Sequence, residues 1–261
     1  MPTLSRALPL LAILAAACAP AARPLPAQAP AAARTAEDVV RAMHDRYVGR
    51  WYRTLSFTQR TSKVMPGDSV HVDMWREWSS IPGTLRIEMG APADGNGALF
   101  ARDSAYAIRA GQVVRRAGRR NPLTVVGFDV YAQDVARTVA VLREEGFAMD
   151  RMHEDTWQGR PVYVVGAAAG DVTSKQFWVD RERLLFVRLL EPGQPPAPTT
   201  QDIRFDEYQP FGGGWVAMHV NVYDGPKRIF WEEYTDVKVN EPLDPGLFDP
   251  DHLSAPPAPR P

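Results

Sequence analysis

Apolar side chains recur at every second position in segment after segment of this chain, and turn residues separate the segments at short intervals. Leu55 and Phe57 alternate with Ser56 and Thr58, Val70, Val72 and Met74 alternate with His71 and Asp73, and Leu85, Ile87 and Met89 share one face of Thr84 to Met89. Period two puts the apolar set on one side of a pleated strand, which predicts half-buried antiparallel strands. Pro66-Gly67-Asp68, Pro82-Gly83, Asp94-Gly95-Asn96-Gly97, Ala110-Gly111, Gln158-Gly159, Gly212-Gly213-Gly214 and Asp224-Gly225-Pro226 supply the reversals of a meander. Strands are predicted again at Met149 to Trp157, Pro161 to Ala167, Lys175 to Asp180, Leu184 to Leu190, Thr200 to Tyr208, Trp215 to Tyr223 and Lys227 to Val239. About ten or more strands in one domain must curl or close, because a broad flat sheet would leave an apolar face wet. The expected class is mainly β (α+β), a curled antiparallel sheet.

Two segments break the period. Thr35 can cap a first turn made favourable by Glu37 and Asp38, and Val39, Val40, Met43 and Tyr47 then form one stripe, which predicts an N-terminal helix ending near Gly49. From Val125 to Glu145, Phe128, Tyr131, Val135, Val139 and Leu142 fall three or four apart and Gly146 supplies a stop. This predicts a second helix in the middle of the strands.

The N-terminus reads as an export signal. Arg6 precedes the apolar stretch Leu8 to Ala17, too short for the roughly 20 residues that span a bilayer. Two processing routes fit. Ala15-Ala16-Ala17-Cys18 resembles the lipobox of bacterial lipoproteins, which would acylate Cys18 and anchor the protein; cleavage at Ala27-Gln28-Ala29 would release a soluble periplasmic protein instead. The organisation expected is a signal over residues 1–18, an Ala/Pro-rich tether over 19–34, a domain over 35–251 and a Pro-rich tail over 252–261. The domain, about 215 residues, is long enough for its own core. Cys18 is the only cysteine, so neither disulfides nor thiolate metal sites are expected to hold that core. A net charge of -1 gives no pointer to nucleic acid, and a monomer is expected.

Catalytic signatures are sparse. No nucleophile elbow, His-Glu-x-x-His, P-loop or dinucleotide fingerprint occurs, and the five histidines lack ligand spacing, so no metal, no cofactor and no enzyme activity are expected. His153-Glu154-Asp155 reads as a solvated strand start. Glu232, Glu233, Asp236, Asp206 and Glu207 could pair as acids, but alternation sends adjacent residues to opposite faces. Arg115, Arg116, Arg119 and Arg120 form the one dense positive run, which predicts either contact with anionic lipid headgroups or an arginine-rich loop.

Several motifs, in order, are similar to the LolA/LolB-like periplasmic lipoprotein carriers and related outer-membrane lipoprotein-sorting proteins. Leu55-Ser56-Phe57-Thr58-Gln59-Arg60 resembles the first strand of that family; Trp75 followed by Pro82-Gly83-Thr84-Leu85-Arg86-Ile87 resembles its next two. Arg160-Pro161-Val162-Tyr163-Val164-Val165 with Gln176-Phe177-Trp178-Val179-Asp180 resembles a later hairpin, and Glu241 to Pro250 the closing segment.

The resemblance implies an incomplete β-barrel over a helical lid, with an apolar cavity for lipid or lipoprotein acyl chains at the bacterial cell envelope. Candidate cavity residues are Phe57, Trp75, Trp78, Leu85, Ile87, Met89, Phe177, Phe186, Phe205, Phe230 and Trp231 from the strands and Phe128 and Tyr131 from the lid. The alternative is a core filled by these same side chains. Carriers proper have an arginine directly before the proline of the turn between their second and third strands. Ile81 stands here, so apolar-ligand binding is expected rather than lipoprotein handover. A second reading is a sensor or interaction module like the MucB/RseB relatives, meeting an envelope protein partner.

Overall fold

The computed structural model describes residues 32–193 and 199–256; Cys18 and both candidate processing sites lie outside them. Helix α1 (Ala36–Tyr47) starts where its capping residues predict. Thr35 Oγ1 accepts from the Asp38 amide at 3.1 Å and the Asp38 carboxylate accepts from the Thr35 amide at 3.0 Å, a reciprocal capping box. The stripe Val39, Val40, Met43 and Tyr47 is buried.

Thirteen strands form one sheet among the described residues. They are β1 (Thr54–Val64), β2 (Val70–Ser80), β3 (Thr84–Met89), β4 (Gly97–Ala101), β5 (Ser104–Arg109), β6 (Gln112–Ala117), β7 (Met152–Trp157), β8 (Arg160–Val165), β9 (Gln176–Asp180), β10 (Phe186–Glu191), β11 (Gln201–Phe211), β12 (Gly214–Asp224) and β13 (Lys227–Val239). Their order is β6-β5-β4-β3-β2-β1-β13-β12-β11-β10-β9-β8-β7, and the neighbours run antiparallel. Two meanders thus meet along a β1–β13 seam, where Leu55 pairs with Val239 and Lys63 with Phe230. The sheet does not close: its free edges are β6 and β7, and the chain between them crosses from one edge to the other. This is the incomplete barrel the resemblance implies.

The crossing segment is not one helix, contrary to its apolar spacing. It holds α2 (Pro122–Gly127), a 3-10 turn (Asp129–Tyr131) and α3 (Val135–Glu144). The Asn121 side chain caps α2, accepting from the Leu123 amide at 3.0 Å, and the Asp134 side chain caps α3, accepting from the Arg137 amide at 3.1 Å. Between them Phe128 leaves the helical region at φ -136, and the Asp129 carboxylate accepts from the Gly83 amide at 2.9 Å. The stripe is divided between the 3-10 turn, with Phe128 before it, and α3, because Asp129 answers a partner on the β2–β3 turn rather than its own helix.

Strands β4 to β6 were not revealed by periodicity, because alanines at Ala98, Ala105, Ala107 and Ala117 fill the face opposite Leu99, Tyr106 and Ile108 and blur the apolar–polar alternation. Arg115 and Arg116 consequently lie on an edge strand and not in a loop. Gly213 and Gly214, expected only as turn residues, also allow close approach. A side chain on Gly213 would meet the Arg50 carbonyl and one on Gly214 the Trp51 ring.

The core lies on the concave side. Val39 and Met43 of α1 and Val139 and Leu142 of α3 pack with Phe177, Leu189 and Leu55 from the sheet. On the convex side, the C-terminal turn Pro245–Phe248 buries Leu247, and Phe248 and Leu253 cover Leu99 and Ile108. No described helix is long and apolar enough to cross a membrane.

Candidate functional site

Filled core and cavity coexist. A cavity of about 130 Å³ remains between α2 and the concave face of β2, β3 and β11 to β13. Cross-strand register builds its wall: Ile87 pairs with Glu77, Phe205 with Val220, and Val222 with both Ile203 and Phe230, so directly opposed residues share the inner face. Leu123, Thr124 and Phe128 close it from the lid.

Of the side chains expected at an apolar site, Leu85, Ile87, Phe128, Phe205 and Phe230 line this cavity. Phe57 and Trp75 stand just behind: Phe57 stacks on the lining Tyr234 at 4.1 Å, and Trp75 lies 6.0 Å from Phe230. The others lie elsewhere. Trp78 pairs with Arg86 and Trp231 with Ser62 and Asn221, which sends both to the convex face. Tyr131, Phe177 and Phe186 are wholly packed. Tyr131 stacks on Trp51 at 3.9 Å, Phe177 meets Phe147 edge-on and Phe186 meets Phe205 edge-on. Met89 lies outside this cavity, in a shallower groove of about 390 Å³ on the same face, lined also by Ala98, Ala105, Ala107 and Ala117.

The arginine run divides. Arg115 and Arg119 line that groove. Arg116 instead donates to Ser104 Oγ at 3.2 Å and lies over the Tyr106 ring. Arg120 bridges Asp103 at 2.6 Å and Glu144 at 2.7 Å, tying α3 to the β4–β5 turn, so its charge is already paired within the fold.

The cavity wall also holds Glu77 and Glu232. Burial raises the Glu77 carboxyl well above the usual range, and the charge of Glu232 raises it further. Glu232 is pushed up to about 7 by desolvation, against the hydrogen bond its carboxyl accepts from the Tyr234 hydroxyl at 2.6 Å and the nearby Gln59 amide. Glu77 escaped the sequence reading, and Glu232 entered it only as one of several strand carboxylates. Pairing them needs the β1–β2 and β1–β13 registers, although charged residues on the apolar face of a strand are a signal that alternation does contain. Glu233, next in sequence, faces outward and pairs with Arg60 at 2.8 Å. His153 stays a strand residue on β7, its Nδ1 3.1 Å from the Ala167 carbonyl. Among the described residues no group of three or more His, Cys, Asp or Glu side chains could hold a metal ion.

Three solved structures share this architecture. A DUF1329 family protein from Desulfovibrio piger superposes with a TM-score of 0.55 at 15% identity over 84% of this chain and 98% of that one. A LolA superfamily protein from Nitrosomonas europaea gives 0.50 at 14% over 85% and 100%, and an outer membrane lipoprotein-sorting protein domain from Vibrio parahaemolyticus 0.52 at 11% over 82% and 96%. The fold is LolA-like. At these identities the likeness concerns the fold. No family model matches the sequence, and no curated protein does. In LolA-like terms, the strands up to β6 and from β7 are the two walls of the half-barrel, and α2 lies over its hollow.

Proposed function

We propose that this chain binds an acyl chain, a lipid or another apolar ligand in the cavity under α2, at the bacterial cell envelope and without catalysis. The observation that carries this reading is the hollow between the lid and the concave sheet, walled by Leu85, Ile87, Phe128, Ile203 and Phe230. Concave, mostly apolar sites with a few placed polar groups are the usual setting for small-ligand binding. The LolA-like fold, shared with a lipoprotein-sorting domain, supports an envelope role.

Size decides how the site must work. An engineered cavity of about 150 Å³ takes up benzene. The hollow here, about 130 Å³, therefore admits a fragment of similar size while α2 is closed. A full acyl chain requires α2 to move. The adjoining groove offers the next length of surface, because Ile87 pairs with Ala98 and Ala98 with Ala107. Arg115 and Arg119 stand at that groove, suited to an anionic headgroup. Acylation of Cys18 would keep this cup near its membrane.

Native mass spectrometry of the full chain, purified from membranes without detergent exchange, tests the reading. A lipid-sized adduct lost on denaturation is expected, while covalent acylation would persist in the denatured mass. A persistently ligand-free protein that also takes up no added fatty acid or phospholipid would sink the proposal.

A further inference from the structure

The polar part of the cavity has a chemistry that an acyl chain leaves unused. Glu77 and Glu232 both line the hollow, while no lysine, arginine or histidine does. Glu77 is only 7% exposed. Gln59 lies on the same concave face, opposite Trp75 and Tyr234 in register, and is wholly buried. Its Nε2 donates to Thr61 Oγ1 at 2.8 Å, and its Oε1 has no partner. Two carboxyls therefore share one apolar hollow, where the Tyr234 hydroxyl donates to Glu232, while the orphaned Gln59 oxygen lies on the same face outside the lining. Buried acceptors in folded proteins are normally matched by donors; a proton held on the pair supplies one here, and a cation from outside can take its place.

We propose that the cavity takes an amphiphile whose polar end is a protonated amine, its ammonium seated between Glu77 and Glu232 and its hydrocarbon against Leu85, Ile87, Phe128 and Phe230. The inference rests on the cavity being a ligand site, as proposed above. An ammonium brings three donors and no acceptor, which matches two carboxylates. An anionic head would meet two carboxylates, and a neutral alcohol satisfies only one acceptor. The polar groups that line the site beside the pair are Tyr234 from the sheet and Asn121 and Thr124 from the lid segment, none of them cationic. Both carboxyls have raised pKa values, so an arriving cation favours their charged forms and binding near neutral pH releases protons.

The test is calorimetric titration of the full chain with octylamine, octanol and octanoate, in two buffers of different ionisation enthalpy. Octylamine is expected to bind about tenfold or more tightly than either other probe, with proton release. Glu77→Gln and Glu232→Gln should each remove much of that preference, weakening octylamine far more than octanol, and Glu233→Gln, on the outer face, should preserve it. Equal affinities for the three probes, or a preference that survives in both cavity variants, overturn the amine assignment and leave the apolar-ligand reading standing. Failure of all three probes to bind overturns both. The comparison of probes on the unaltered chain decides the matter even where a variant folds poorly.

Discussion

Asp202 shows what a single buried carboxylate does when it is matched. Its two oxygens accept from Arg188 at 2.8 and 2.9 Å and from Arg204 at 2.7 Å, while Arg188 lies over Trp157 and Trp178 and Arg204 over Tyr223. Burial pushes Asp202 up, but the two guanidiniums more than offset it, so its pKa is lowered. Glu232 is the opposite case, raised from 4.5 to about 7. Between those values the folded state holds a proton that the unfolded chain has released. Stability from this group is therefore complete below about pH 4.5 and is lost as pH rises through about 7. Glu77 acts in the same direction. At about 1.4 kcal/mol per pKa unit, the Glu232 contribution is on the order of 3 kcal/mol. Glu232→Gln should flatten the fall in stability between pH 5 and 7.5, read by urea unfolding at both pH values. An unchanged slope would mean that Glu232 titrates near its ordinary value.

Among the elements, the lid depends most on a distant partner. The stripe Phe128, Tyr131, Val135, Val139 and Leu142 was legible because a helical period is local. The break within it was not, because the group that draws Asp129 out is the Gly83 amide, 46 residues away in the chain. Burial raises Asp129 to about 6 even against that hydrogen bond. Asp129→Ala removes the acceptor and should loosen the lid over residues 122–131, at a local cost of about 1 kcal/mol or more. Hydrogen exchange should then quicken roughly tenfold across that segment, since 1.4 kcal/mol is a factor of ten, while amides of the β1–β13 seam keep their protection. Uniform acceleration across the sheet would show instead that Asp129 serves global stability. Arginines divide by the same logic: Arg120 is committed to Asp103 and Glu144, partners that the run of basic residues could not disclose.

The architecture makes the two sequence-distant strands β1 and β13 the centre of the sheet and leaves sequence neighbours β6 and β7 at its edges. Removing β13 would expose both β1 and β12, so a chain ending at Asp224 should lack a cooperative unfolding transition. A chain ending at Asn240 retains every strand and loses the C-terminal cover of Leu99 and Ile108, the Arg102 ion pairs to Asp249 and Asp251, and the bond from Thr54 Oγ1 to the Glu241 carbonyl. It should fold with a stability loss of about 2–5 kcal/mol, the range for removing one large apolar side chain such as Leu247 from a core. Circular dichroism and urea unfolding of the two truncations check this. Equal behaviour would place the structural centre elsewhere.

Alternation, turn residues and capping were enough to read most strands, the first helix and the curled antiparallel class, because each depends on contacts a few residues apart. The same local signals named Leu85, Ile87, Phe128, Phe205 and Phe230 as inward candidates. They also named Trp78 and Trp231, which face outward, and Tyr131, Phe177 and Phe186, which are packed shut. Which face of each strand became the inside was a matter of register along β1, β2, β3 and β13, set between residues far apart in the chain. Only that register puts Glu77 and Glu232 in one hollow, and only the crossing from β6 to β7 puts a lid over it. Period two states that a strand has two faces; long-range pairing selects the one that closes around a ligand.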